Sequence, residues 1–216
     1  MRLKTLVIIL LILLLGCDIN EETKKMSAAE FQDEIAALFG RSGYAMRDLN
    51  NTITNDFYRS LLDNTFINVA MLNQKIEKTN IILDSCLREV KMLEEVDTII
   101  RYRYETIKYI KACKSILNNE SIKSVNIPNG RKVDIDVWIE YRKQFVITWS
   151  NFFDATFRIY NTQVSYLKRH KFDLPLGKVN EKESREEFRL YKLHTDSMIM
   201  MRQYNYPIKI KNKNYK

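Results

Sequence analysis

Apolar residues from about residue 55 to 118 repeat with the seven-residue period of helices that pack side by side. Five apolar residues lie at intervals of seven: Leu62, Val69, Ile76, Leu83 and Val90. Most of the positions three residues after each of them are apolar too. The spacing predicts either one helix of about 60 residues or a helix that bends near Glu95–Thr98.

A second long helix is predicted from about residue 133 to 170. Its apolar positions form two neighbouring stripes, Ile139, Val146, Phe153, Tyr160 and Leu167 beside Trp138, Phe145, Phe152, Ile159 and Tyr166. Because so broad a face exceeds what one neighbour covers, we expect this helix to pack against more than one other helix. The turn residues Pro128-Asn129-Gly130 precede it, and Leu174-Pro175-Leu176-Gly177 end it.

Shorter helices are predicted at both ends of this region. Ser27 and Glu30 have the spacing of a capping box, and the helix they begin is expected to end near Gly40–Gly43. A last helix runs from about residue 181 to 203, with an expected inner face of Phe188, Tyr191, Met198 and Met201. The pattern therefore predicts an all-α fold, an elongated helical bundle with long coiled-coil-like helices.

The composition agrees with long helices and few connections. The chain has 216 residues but only 5 Gly and 3 Pro, whereas a β-sandwich needs a turn about every ten residues. Hydrophobic residues make up 45% and charged residues 29%, which excludes a disordered or low-complexity chain. We expect a single domain over residues 27–203.

The first seventeen residues have the order of an export signal. Arg2 and Lys4 precede an apolar run, Thr5–Leu15, which ends in Leu14-Leu15-Gly16-Cys17. As a helix, eleven residues span about 16 Å, half of a bilayer core, so the run is typical of a signal peptide rather than a membrane span. The Gly16–Cys17 junction resembles the lipobox of bacterial lipoproteins. This resemblance implies cleavage between Gly16 and Cys17, a diacylglycerol-modified thiol and an acylated amino group.

The same resemblance implies how the chain is organised and where it is located. Residues 1–16 form the signal peptide and residues 17–26 the lipidated cysteine and a tether. Independently of the resemblance, Pro207 and the local pattern predict a basic tail over residues 204–216 that we expect to be flexible. The mature protein is anchored through lipid to a membrane of the bacterial cell envelope, and the choice between inner and outer membrane stays open. Removal of the leader lowers the formal charge from +8 to +6, because Arg2 and Lys4 are lost.

The C-terminal end is rich in cations. Beyond the last acid, Asp196, come five basic residues interleaved with tyrosines: Arg202, Lys209, Lys211, Lys213 and Lys216. They are candidates for contact with anionic headgroups or envelope polymers, and a solvated, frayed terminus is the alternative. No nucleic-acid partner is expected, because an exported lipoprotein rarely meets one.

The sequence lacks the motifs of common catalytic and metal sites. HExxH, GxSxG, P-loop and GxGxxG patterns are all missing. We expect His170 and His194 to be solvated or locally bonded, and the acidic groups Glu94-Glu95-Asp97 and Glu181-Glu183-Glu186-Glu187 to be solvated. We therefore predict no catalytic residues, no metal and no cofactor.

Two cysteines remain once Cys17 is assigned to lipid. On one straight helix, Cys86 and Cys113 would lie about 40 Å apart, too far for a disulfide. A bend near residue 99 would instead place them opposite each other in a hairpin. We expect free thiols, with the pairing left open.

These observations predict a non-enzymatic helical interaction or ligand-binding protein with a protein partner in the envelope or on the cell surface. The first alternative is a structural subunit of an envelope secretion or transport assembly. The second is an envelope hydrolase or small-molecule binder, whose pocket would be lined by Trp138, Phe145, Trp149, Phe152 and Phe153.

Overall fold

Five α-helices make up the part of the chain that the computed structural model describes, residues 26–63, 66–118, 134–173 and 181–204. They are α1 (Ala28–Asp63), α2 (Val69–Met92), α3 (Tyr102–Asn118), α4 (Ile135–Arg169) and α5 (Glu181–Gln203). These ranges contain no strand. The predicted all-α bundle is confirmed.

Helices α1 to α4 form an antiparallel four-helix bundle, and α5 packs on the outside of α4. Neighbouring helices meet through cross-helix pairs: Arg41–Glu89 for α1 and α2, Asp84–Lys114 for α2 and α3, Tyr109–Phe152 for α3 and α4, and Asp154–Arg185 for α4 and α5. Aromatic contacts join α1 to α4 at both ends of the bundle, with ring centroids 5.7 Å apart for Phe31 and Tyr166 and 4.7 Å for Phe57 and Tyr141. The long predicted helix α4 thus has three neighbours, as its broad apolar face indicated.

Helix α1 continues through Gly40 and Gly43, so the prediction that it ends there is wrong. The capping box is confirmed: Glu30 accepts from the Ser27 N–H at 2.8 Å, and the Glu30 N–H donates to the Ser27 hydroxyl at 3.2 Å. Each glycine costs a helix about 1 kcal/mol relative to alanine. Burial of the apolar residues that follow outweighs this cost, namely Met46, Leu49, Ile53 and Phe57. Gly43 also admits the Tyr109 hydroxyl, which would lie 3.2 Å from an added Cβ.

The predicted helical region 55–118 is three helices rather than one. The chain leaves the helix after Asp63 and again between residues 93 and 101, so the bend near Glu95–Thr98 is the correct alternative. Asn68 caps α2 by accepting the Met71 N–H at 3.0 Å. The heptad pattern is confirmed within α2, whose buried residues are Leu72, Thr79, Leu83, Cys86 and Val90. It is wrong at Leu62, which is exposed.

Cys86 on α2 and Cys113 on α3 are buried and have free thiols. The two helices form a hairpin. The expectation of free thiols is confirmed, although the straight helix that supported it does not exist. The Cys86 sulfur accepts from the Arg41 Nε at 3.2 Å. Burial raises the pKa of Cys113 to about 12, which keeps this thiol protonated and unreactive at neutral pH.

The last two helices begin and end close to the predicted positions. Asp134 caps α4 by accepting the Val137 N–H at 2.9 Å, and α5 has the predicted bounds. The predicted inner face of α5 is correct at Met198, which is buried, and wrong at Met201, which is exposed. The turn residues 128–130 and 174–177 lie outside the described residues.

Candidate interaction surface

Helix α5 is attached to the bundle by a narrow inner face. Only Thr195 and Met198 are buried among its residues, in contrast to the long buried faces of the other helices. Ion pairs between α4 and α5 lie on either side of this contact, Asp154 with Arg185 at 3.1 Å and Asp136 with Arg202 at 2.6 Å. Both pairs are about half exposed, so solvent screening leaves each of them little stabilising energy.

Arg142 on α4 is the strongest single link to α5. Its buried guanidinium donates to the Thr195 hydroxyl at 3.1 Å and to the Tyr191 carbonyl at 3.3 Å. It also lies over the Tyr191 ring, 3.9 Å from the centroid, and near the Trp138 ring. Hydrogen bonds and aromatic faces stabilise a desolvated cation. Arg142 therefore fixes the position of α5 along α4.

Replacing Arg142 by alanine is expected to lower the free energy of unfolding by about 2 kcal/mol, because a desolvated cation–π contact and two buried hydrogen bonds are lost. Urea unfolding measures the change, and amide exchange shows whether α5 opens before the other helices. Arg189→Ala is the control. Arg189 is exposed and, among the described residues, forms its ion pair within α5, with Glu186. Its loss should therefore change stability by less than about 0.5 kcal/mol. Equal effects of the two substitutions would contradict the role given to Arg142.

The outer side of α5 carries a second apolar stripe that no other described helix covers. Its members follow the i, i+3, i+10, i+14 spacing of a heptad seam and are about half exposed or more: Leu190 (52%), Leu193 (47%), Met200 (58%) and Tyr204 (69%). Leu193 lies two residues before the buried Thr195, and Met200 lies two residues after the buried Met198. Two residues correspond to a rotation of about 200° around the helix axis, so Leu193 and Met200 lie on the side away from the bundle. We call these four residues the outer stripe. The sequence prediction assigned α5 one apolar face and missed this one, although the spacing is visible in the sequence.

Contiguous exposed apolar rows are a common feature of surfaces used for association. The spacing is that of a and d positions in a heptad repeat, which pack against the a and d positions of a second helix. Methionine at two neighbouring positions, 200 and 201, adapts to different partner shapes. Arg189 and Glu186, which lie beside the stripe, are paired with each other.

The aromatic face of α4 packs in the core, and among the described residues the cavity beside it is small. Trp138 is buried, and Phe145, Trp149 and Phe152 pack against the core, with stacked Phe145 and Trp149 rings 4.7 Å apart. The cavity beside Phe145 and Trp149, between α1, α3 and α4, has a volume of about 20 Å³. Ligand pockets measure about 300–1,000 Å³, so this cavity has room for a single water molecule.

The turn between α2 and α3 holds a buried carboxylate that the sequence prediction treated as solvated. Asp97 is 6% exposed. Its Oδ1 accepts the N–H groups of Ile99 and Ile100 at 2.9 and 3.0 Å, and its Oδ2 lies 2.6 Å from Arg169 and 3.3 Å from His170. Oδ1 is thus hydrogen-bonded twice, whereas Oδ2 lies at ion-pair distance from Arg169 and His170 without an aligned hydrogen bond among the described residues. The cluster joins the turn to the end of α4.

Glu95 is also partly buried, and it accepts the N–H groups of Arg103 and Tyr104 at the start of α3. Burial raises the pKa of Glu95 against the lowering effect of these two donors. The prediction of solvated carboxylates is therefore wrong for Asp97 and Glu95 and right for Glu94, which is exposed. His170 lies 3.3 Å from the Asp97 Oδ2 and packs on the Tyr166 ring, but its buried Nε2 makes no aligned hydrogen bond among the described residues.

One residue of the basic C-terminal group lies among the described residues. The Arg202 guanidinium binds both Asp136 oxygens at 2.6 Å, and this hydrogen bonding lowers the pKa of Asp136. Arg202 thus lies at the end of α5 beside the start of α4, in a pair that solvent screens. Lys209, Lys211, Lys213 and Lys216 lie outside the described residues, as do Gly16 and Cys17.

Within the described ranges, no three His, Cys, Asp or Glu side chains are grouped to hold a metal ion. None of the five helices has both the length and the apolarity to cross a bilayer. Comparison of the chain with protein family models gives no match, and comparison with curated proteins and with solved structures gives none either.

Proposed function

We propose that this chain is a lipid-anchored envelope protein of bacteria that acts without catalysis, by binding a helix of a partner protein along the outer stripe of α5. The outer stripe carries the proposal, because a row of exposed Leu, Met and Tyr side chains at heptad spacing costs solubility unless another helix covers it. The partner is an envelope or cell-surface protein that presents an amphipathic helix.

The lipid anchor rests on the sequence. The basic start, the apolar run and the Gly16–Cys17 junction occur together at the N-terminus. Two or three acyl chains, at about 0.8 kcal/mol per buried CH₂, hold a protein on a membrane durably. The start of α1 at Ala28 leaves ten residues, 18–27, between Cys17 and the bundle, enough for a tether of about 35 Å.

Site-specific photo-crosslinking in cells tests the binding surface. A photoreactive residue in place of Leu193 is expected to form one discrete adduct, because this position faces the partner helix. The matched control is the same residue in place of Lys111, an exposed position on α3, which should form no adduct. A probe at Met200 should form an adduct with the same partner. This adduct should disappear when Leu193 is replaced by glutamate, because binding would then bury an unpaired carboxylate in the apolar seam.

Two results would refute the partner helix. Adducts of equal yield at Leu193 and Lys111 would show that the outer stripe has no special role. An adduct whose mass is twice that of the chain would identify a second copy, and the stripe would then serve self-association in place of a partner protein.

A further inference from the structure

One end of the bundle is formed by the start of α1, the α2–α3 turn and the end of α4. The Tyr166 hydroxyl near the end of α4 donates to the Ala28 carbonyl at the start of α1, at 3.1 Å. Arg169, the last residue of α4, lies 2.6 Å from Asp97 in the turn. The described chain begins here, at Met26. We call this surface the entry end.

The two most exposed large apolar side chains of the described residues lie at the entry end. Met92, the last residue of α2, is 84% exposed, and Ile99 in the α2–α3 turn is 70% exposed. Asp97 fixes the shape of this turn, because its side chain accepts the Ile99 and Ile100 N–H groups. Three other apolar residues of the turn pack against the core, Leu93, Val96 and Ile100. The turn thus buries part of its apolar surface and leaves Met92 and Ile99 in contact with solvent.

Exposed cations share the entry end with this apolar pair. Segments 91–103 and 168–173 hold six lysines and arginines and four acidic side chains, of which only Glu94 and Asp173 are exposed acids. The other two acids bind backbone N–H groups. The one acid in the first turn of α1, Glu30, binds the Ser27 N–H. Four exposed cations of the two segments form no ion pair with a described residue: Lys91, Arg101, Lys168 and Lys171.

Two of these cations lie where the backbone conformation favours glycine. Arg101 and Lys171 have φ angles of 55° and 59°, in the left-handed region that residues with a side chain rarely adopt. Glycine adopts this conformation without steric cost. The backbone therefore does not require a basic residue at either position, which favours a role for the two charges outside the fold.

We infer that the entry end lies on an anionic bilayer, with Met92 and Ile99 inserted among the headgroups that Lys91, Arg101, Lys168 and Lys171 bind. This inference rests on the lipid anchor of the proposed function. Nine residues of chain lead from Cys17 to Met26 and span at most about 32 Å, so the entry end is within reach of the anchoring bilayer.

The chemistry of the entry end matches that of a bilayer surface. Exposed apolar side chains are buried at the boundary between headgroups and acyl chains, and the cations beside them are attracted to anionic lipids. The two contributions act together, because both kinds of side chain lie at the same end of the bundle. Contact at this end would hold the bundle upright on the bilayer and leave the outer stripe of α5, along its side, open to a partner helix.

Quenching of tryptophan fluorescence by brominated lipid tests the contact. The full-length lipidated protein with I99W is inserted into vesicles of phosphatidylcholine and phosphatidylglycerol that carry bromine on their acyl chains. Bromine quenches tryptophan at contact distance, so the fluorescence added by I99W should be lost. The native Trp138 and Trp149 pack in the core and should keep their fluorescence. The matched control is M71W, at an exposed position on the first turn of α2 at the opposite end of the bundle, which should not be quenched.

Removal of two cations tests the role of charge while the fold is kept. R101G and K171G are introduced together into the I99W protein, and because glycine relieves the positive φ, urea unfolding should show no large loss of stability. Each cation near an anionic surface strengthens binding by about fivefold, so the pair shifts the equilibrium between contact and release by about twentyfold, and most of the quenching should disappear. K78Q with K111Q lowers the net charge equally at exposed positions on the sides of α2 and α3, and it should keep the quenching.

Failure of the contact is distinguishable from failure of the anchor. If the lipidated protein enters the vesicles and I99W is quenched no more than M71W, the anchor stands and the inference is overturned. Equal quenching with and without R101G and K171G would overturn the part given to the cations. If the lipidated protein does not enter the vesicles, the anchor is wrong, and a C17S chain with I99W decides the contact alone. Its quenching by an excess of the same vesicles would support the contact, and unchanged fluorescence would overturn it.

Discussion

Replacing Asp97 by alanine is expected to lower the free energy of unfolding by about 3 kcal/mol, because one side chain serves both the α2–α3 turn and the end of α4. Its loss leaves the N–H groups of Ile99 and Ile100 without their acceptor and removes the carboxylate beside Arg169. Unsatisfied, partly buried donors cost about 1–3 kcal/mol each, and the ion pair adds less because Arg169 is half exposed. Urea unfolding measures the total.

Asp97→Asn separates the two roles of this side chain. The amide oxygen still accepts the two backbone N–H groups but has no charge for Arg169, so about half of the stability should return. Burial raises the pKa of Asp97, but the backbone donors and Arg169 together lower it further, and the folded pKa lies below 3.8. The contribution of the carboxylate is therefore complete above about pH 4 and is lost as the pH falls through the folded pKa. A difference between wild type and D97A that grows on acidification would contradict this assignment.

Phe57→Ala is expected to cost about 4 kcal/mol, the usual range for a fully buried aromatic residue. Phe57 is 0% exposed and packs against the rings of Trp138 and Tyr141, at centroid distances of 5.7 and 4.7 Å. Its removal leaves a cavity where α1 meets α4. Thermal and urea unfolding measure the loss, and amide exchange should show the second half of α1 opening first.

Phe66→Ala is the control for this substitution, because Phe66 is 62% exposed and little of its ring leaves water on folding. Its replacement should change stability by less than about 1 kcal/mol. If F57A were as mild as F66A, burial along the second half of α1 would not explain why this helix continues through its two glycines.

The sequence predicted helices wherever an apolar stripe was long, because burial of that stripe is what stabilises them. It misplaced their ends where the deciding contact comes from elsewhere in the fold. Gly40 and Gly43 looked like a helix end, yet Tyr109 from α3 fits against Gly43. Asp97 looked solvated, because its partner Arg169 is 72 residues away in the chain. Local patterns contain no information on such pairs.

The candidate surface was partly visible in the sequence. Leu190, Leu193 and Met200 already show a heptad spacing, but the sequence alone does not tell which of the two apolar sides of α5 faces the bundle. Arg142 settles this, since its contacts with Tyr191 and Thr195 turn the other side outward. A buried arginine that binds a helix through a hydroxyl, a carbonyl and a ring has no signature in sequence spacing.

The central claim is that the mature chain begins at a lipidated Cys17, and the mass of its N-terminal peptide tests it most directly. The protein is purified from the membrane fraction of bacteria that produce the full chain, digested and analysed by mass spectrometry. The account predicts a peptide that begins at Cys17 and carries a diacylglycerol group, and a C17S chain that keeps residues 1–16. An unmodified Cys17, or a chain that begins at another residue, would contradict it.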